Sequence, residues 1–272
     1  MTTSPQPEPV MLLPVEPAPV QPAPMAPLPR RPWGFWATLG FGVAVAMVFF
    51  VLAIITAGVF FGMVSAGELL PPDQLEASAI EQNGLFFSLI FVTGAPLCTG
   101  LIVLCAWLRR RRYSLTEYLG LSHPGWARVF LWVGISVLLV AGLDSLTYVL
   151  GRPVVPTSMT DMYKTSVFPP LLALVIVVIG PMFEEFFFRG FLLEGFRRSF
   201  MGTVAAILVT SALWAALHTQ YDWYGMSQIF VGGLVLSAAR LHTNCIWVCF
   251  AMHAVQNLVA TAETVVVVHF LS

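Results

Sequence analysis

The chain has 272 residues, 58% of them hydrophobic and 10% charged, with a mean hydropathy of +0.83 and a formal net charge of -1. A soluble domain carries about 25% charged residues, so most of this surface belongs in lipid. With no basic face to neutralise a phosphate backbone, a nucleic-acid partner is excluded.

The first 32 residues are a different material. Eleven of them are proline, in a Pro-x-Pro and Pro-x-x-Pro texture with alanine, valine and glutamine. Such a segment cannot bury a core and favours extended polyproline II. It has no basic region followed by an apolar one, so it does not read as a cleaved signal peptide. A flexible tail is expected, with docking to a proline-reading partner as the sharper reading.

Apolar segments begin after Arg30 and Arg31. A span needs ~20 apolar residues. Phe35 to Val64 is the first. Residues 67–84 are a break carrying Glu68, Asp73, Glu76 and Glu81 and no base. Leu85 to Leu108 is the second span and stops at Arg109-Arg110-Arg111-Arg112. Val129 to Leu150 is the third, Leu171 to Phe196 the fourth and Thr203 to His218 the fifth. Met226 to Ala239 is short, with Gly232-Gly233 permitting close helix contact. The last run, Cys245 to Leu271, is one helix or two broken near Thr261-Ala262-Glu263-Thr264. The fold class is therefore all-α, a polytopic transmembrane bundle of seven or eight spans. Cys98, Cys105, Cys245 and Cys249 all sit in apolar runs and read as reduced small hydrophobes.

If spans alternate, Arg30, Arg31, Arg109 to Arg112, Arg128, Arg197, Arg198 and Arg240 share one side, and the acidic segment 67–84 takes the other. The positive-inside rule then makes the basic side and the N-terminus cytoplasmic. The four-arginine run reads as a topological anchor, with anionic headgroups as the lesser reading.

Charged groups inside a bilayer are costly unless paired or wetted, and so they mark function. Glu184-Glu185-Phe186-Phe187-Phe188-Arg189 puts three at the end of an apolar stretch, and His218, then His253 with Asn257, follow on later segments. At 100° per residue, Glu185 and Arg189 share a helix face one turn apart and can pair. Glu184 points away and is left without a partner on its own helix. His253 and Asn257 also share a face, and Trp214 sits one turn before His218. At 1.5 Å per residue, Glu184 lies ~18 Å, His218 ~23 Å and His253 ~14 Å from the cytoplasmic helix ends, all near mid-depth of a ~30 Å core. Singly, each has a structural role open to it: a membrane histidine or asparagine often only bonds helices together. Together, an unpaired buried carboxylate beside two histidines suits a general base acting on water.

Glu184-Glu185-x-x-x-Arg189-Gly190 resembles the first motif of the CAAX-processing and bacteriocin-processing (CPBP, or Abi) intramembrane endopeptidases, which include type II CAAX prenyl proteases. The second motif, Phe-x-x-x-His, is matched by Trp214 to His218 with tryptophan for phenylalanine. The third, His-x-x-x-Asn, is matched by His253 to Asn257. The resemblance covers residues 165–260. It implies a catalytic part at 161–272, after N-terminal helices at 33–160 and the tail at 1–32. It also implies hydrolysis of a peptide bond in a membrane-associated peptide or protein, lipidated or not. In that reading Glu184 and His218 activate water, His253 and Asn257 stabilise the oxyanion, and Glu185 and Arg189 support the geometry. No cofactor is expected. The alternative is a zinc held by Glu184, His218 and His253, a set zinc accepts, although no His-Glu-x-x-His motif favours it. Rivals of another class are a non-proteolytic bacteriocin-immunity or scaffold protein, and a proton-coupled transporter. The transporter needs further polar groups, and only Asp144 and Glu263 offer themselves. A multi-pass protein of a prokaryotic cell membrane, in contact with membrane lipid, is expected.

Overall fold

The computed structural model describes residues 31–67 and 82–271. The proline-rich tail and most of the acidic break lie outside the described residues. Nine helices follow in order among the described residues: α1 Phe35–Ser65, α2 Gly84–Leu108, α3 Leu115–Leu119, α4 Trp126–Val149, α5 Thr157–Lys164, α6 Pro169–Arg197, α7 Gly202–Ala216, α8 Trp223–Thr243 and α9 Ile246–Leu271. Five of them (α1, α2, α4, α6 and α9) are long and apolar enough to cross a membrane, and α7 is a shorter apolar helix. The all-α polytopic architecture read from the sequence is the one observed.

Helix α6 is the centre of the bundle. Nearly half of its most apolar stretch (44%) is buried, against 6–28% for the other four long helices. Phe186, Phe187, Phe188, Phe191, Leu192, Leu193 and Phe196 of α6 form one cluster with Cys98 and Ile102 of α2 and with Ile246, Cys249 and Met252 of α9. Outer faces carry lipid-type side chains such as Phe50, Ile54 and Phe130 exposed.

Two helix boundaries differ from the sequence expectation, and a third alternative is settled. Helix α8 is 21 residues long, not short, and begins at an Asp222 cap whose carboxylate accepts from Gly225 N. Its polar first turns are satisfied sideways, with Gln228 Nε2 donating to Thr147 Oγ1 at 2.8 Å and Tyr224 OH bonded to the same hydroxyl. The last run is one continuous helix. Thr261 and Thr264 bond back to the carbonyls of Asn257 and Ala260, so these hydroxyls do not break it. Helix α7 ends at Ala216, which leaves His218 just beyond it rather than inside a span.

Arg240 is a finding of a different kind. Counted with the basic side in the sequence, it is 1% exposed. Its guanidinium donates to Asn244 Oδ1 at 2.7 Å and to the Tyr118 carbonyl at the end of α3 at 3.3 Å. Helix α3 is fixed at its start by a Ser114–Glu117 capping box. It ends at Gly120 with φ +70°, where a Cβ would lie 2.6 Å from the Arg240 guanidinium carbon, so only glycine fits. Nearby Glu194, also 1% exposed, takes Arg197, Arg198 and the Tyr113 hydroxyl, so two more arginines of the basic side are paired. Burial and the Glu194 hydrogen bond push the Tyr113 phenol up to about 12.

Candidate active site

The two carboxylates of α6 separate as helical geometry predicts. Glu185 is fully buried, and its Oε1 accepts from Arg189 Nη1 at 3.0 Å. The same oxygen lies 2.9 Å from His253 Nδ1 on α9. A carboxylate can only accept, so Nδ1 carries the proton and Nε2 faces the other way. That nitrogen is 4.0 Å from Glu184 Oε2. Glu184 keeps 17% of its side-chain surface exposed.

Glu184 has no partner on its own helix, but it has one across the interface. Trp214 Nε1 on α7 donates to Glu184 Oε2 at 2.5 Å. The direct partner of Glu184 is thus tryptophan rather than His218. The same indole ring lies 4.3 Å from the Arg189 guanidinium, 5.1 Å from the His253 ring and 5.3 Å from the His218 ring. Gly233 of α8 admits this ring: a Cβ there would lie 3.0 Å from Ser211 Cβ and 3.2 Å from Trp214 Cε3. The close contact expected of Gly232-Gly233 is present.

His218 owes its place to the end of α7. The last carbonyls of a helix lack intrahelical donors, and the ring caps one: His218 Nδ1 lies 2.8 Å from the Trp214 carbonyl oxygen. A carbonyl accepts only, so this ring also carries its proton on Nδ1 and offers Nε2 outward.

Asn257, one turn after His253, donates through Nδ2 to the Ile176 carbonyl at 2.8 Å. Helix α6 is π-wound over Val175–Ile179, with Gly180 N–H reaching back to the Val175 carbonyl. A further π segment runs over Glu185–Leu192, and such turns recur at functional sites. The sequence singled out Asn257 but gave no sign of this backbone partner.

Two cavities meet at these residues. The smaller, about 100 Å³, takes in Glu184, His218, His253 and Asn257 with Tyr221 and Gln220. The larger, about 220 Å³, shares His218, His253 and Asn257 and extends past Gln228 to Asp144 and Glu263. Glu185 and Arg189 line neither. The sequence-nominated residues therefore converge, with the carboxylate, both histidines and the amide at the cavity and the ion pair behind them. Tyr221 went unremarked in the sequence, since a tyrosine in a short loop carries no distinguishing pattern. Outside the three motifs, two carboxylates line the larger cavity, Asp144 of α4 and Glu263 of α9.

Among the described residues no group of three or more His, Cys, Asp or Glu side chains is arranged to hold a metal. The 4.0 Å between His253 Nε2 and Glu184 Oε2 is wide for two atoms that would share a zinc as ligands at about 2 Å each in tetrahedral array. Cys245 and Cys249 are buried, and the Cys249 thiol contacts the Leu236 carbonyl at 3.4 Å.

Comparison with known proteins identifies the family. Residues 166–259 match the family model described as type II CAAX prenyl endopeptidase Rce1-like. The chain is 30% identical over 178 residues to an uncharacterised 24.3 kDa protein of Escherichia coli, covering 63% of this chain and 77% of that one. No solved structure matches the chain. The matched segment runs from the start of α6 through all three motifs to just past Asn257, and the chain belongs to the Rce1-like family of type II CAAX prenyl endopeptidases, as an integral membrane protein of several spans.

Proposed function

We propose that the protein is an intramembrane endopeptidase in which Glu184 is the general base for water attack on a peptide bond of a membrane-associated substrate. The observation that carries this reading is convergence: Glu184 of α6, His218 beyond α7 and His253 of α9 come from three helices to one cavity of about 100 Å³. A water there reaches a carboxylate and the outward-facing Nε2 of His218. The proton passes from water to Glu184 as the carbon–oxygen bond forms, and from Glu184 to the leaving amine as the carbon–nitrogen bond breaks. His253, oriented through Glu185 at Nδ1, donates from Nε2 to the carbonyl oxygen only as the doubly protonated imidazolium, and the second N–H of Asn257 is a donor in either state. Preorganised donors of this kind contribute about 3–4 kcal/mol each. Glu185 and Arg189 hold the set from behind.

The larger cavity, which shares His218, His253 and Asn257 with the first and is walled by Leu139, Val140 and Leu143, suits an apolar chain segment entering from lipid. We propose no metal for this chemistry. The basic segments at 109–112 and 128 support a cytoplasmic N-terminus. The test is cleavage of a membrane-peptide library by the purified protein beside Glu184→Gln. Site-specific cleavage that Glu184→Gln abolishes, with the variant still folded, is expected. Equal cleavage by both proteins would overturn the reading, and no cleavage of any peptide by folded wild type would favour the immunity or scaffold role.

A further inference from the structure

The geometry points to Trp214 as a positioning residue for the reaction: its indole N–H holds one oxygen of Glu184 and so aims the other at the attacking water. This rests on Glu184 being the base. The residue is 4% exposed. Its Nε1 donates to Glu184 Oε2 at 2.5 Å, and that oxygen is also the one 4.0 Å from His253 Nε2. A carboxylate taken out of bulk water needs donors if it is to keep its charge. Glu185 draws on two, Arg189 and His253. Glu184 has the indole alone as its direct hydrogen-bond donor among the described residues. With Oε2 so committed, Oε1 is the atom free to take a proton from water.

One residue also sets the second group. The Trp214 carbonyl accepts from His218 Nδ1 at 2.8 Å, which fixes the ring tautomer and leaves Nε2 as the acceptor. Side chain and main chain of a single position thus orient both partners of the water. The ring is itself held on several sides, by the Arg189 guanidinium at 4.3 Å, the close-packed Gly233 and the two imidazole edges. Phenylalanine, the usual aromatic of the motif this stretch resembles, fills most of the space and has no N–H. In this chain the tryptophan therefore does something that motif does not require.

Removing the N–H while keeping the ring separates positioning from packing. Trp214→Phe and replacement of Trp214 by benzothienylalanine, a sulfur isostere without the N–H, are compared with wild type on a peptide the wild type cleaves. Loss of a charge-assisted hydrogen bond to the reacting group predicts an about ten- to hundredfold drop in kcat for both. KM should stay within about twofold, and the isostere should melt with the wild type. Wild-type kcat in the isostere, with loss only in Trp214→Phe, would show that the ring matters for packing alone and would overturn the inference while leaving Glu184 as base. Wild-type turnover in Glu184→Gln would remove the base and the inference together.

Discussion

Asn257 Nδ2 and the Ile176 carbonyl, 2.8 Å apart, join α9 to a backbone oxygen that α6 leaves free. The α-helical donor to that oxygen would be Gly180 N–H, which bonds instead to the Val175 carbonyl. The next donor along, in a π turn, would be residue 181, and Pro181 has no N–H. An unpaired carbonyl inside a bilayer costs several kcal/mol, and Asn257 removes that cost.

A double-mutant cycle follows from this. Asn257→Ala should lower stability by about 1–3 kcal/mol, the cost of one orphaned buried acceptor. Pro181→Ala restores an N–H within reach of Ile176 O, so the double variant should recover much of the loss. Melting temperatures of the four proteins in one detergent read the coupling. Strict additivity would mean that Asn257 stabilises by some other contact.

Glu184 and Glu185 should respond oppositely to the same change. Glu185 shares one oxygen between Arg189 and His253, and it and Arg189 are at most 1% exposed. Removing one member of a buried ion pair costs about 3–5 kcal/mol, so Arg189→Ala and Glu185→Gln should melt far below wild type or fail to accumulate. Glu184 is partly exposed to a cavity, and a glutamine carbonyl still accepts from the Trp214 indole. Glu184→Gln should therefore melt near wild type and not turn over. Equal losses of melting temperature at 184 and 185 would erase the distinction between base and support.

What the sequence made legible was whatever long apolar runs and helical spacing encode. Predominantly apolar runs near the ~20 residues a span needs located the long helices. One-turn spacing paired Glu185 with Arg189, and it put His253 and Asn257 on a shared face. The misreadings arose where one element's needs are met by another. Arg240 was legible only as one basic residue of the cytoplasmic side, and nothing local to it announces the Tyr118 carbonyl as its partner. The sequence reading started α8 at Met226, because Tyr224 is satisfied by Thr147 on α4, outside its own run. His218 looked helical because its apolar run continues past Ala216, and only the turn at Leu217 ends the helix.

Orientation is open to direct measurement on described, exposed positions. With the N-terminus cytoplasmic, alternation places the α3–α4 connection inside and α5 outside. Ser122 and Thr157 are both exposed on those segments. In intact cells, Thr157→Cys should react with a membrane-impermeant maleimide and Ser122→Cys should not. After lysis both should react. Labelling of Ser122→Cys alone in intact cells would invert the topology.

The last prediction concerns metal. A zinc mechanism needs Glu184, His218 and His253 as ligands, and no group of three such side chains is arranged to hold a metal among the described residues. Asn257, which shares the cavity, is a poor zinc ligand, although an amide N–H suits an oxyanion. A carboxylate–histidine mechanism depends only on the protonation of those groups. Activity should therefore survive prolonged dialysis against a strong chelator. The purified protein should hold far less than one zinc per chain by elemental analysis, and adding zinc back should not raise kcat. Stoichiometric zinc that leaves together with activity, and restores it on return, would require the three side chains to regroup around a metal and would replace the glutamate mechanism.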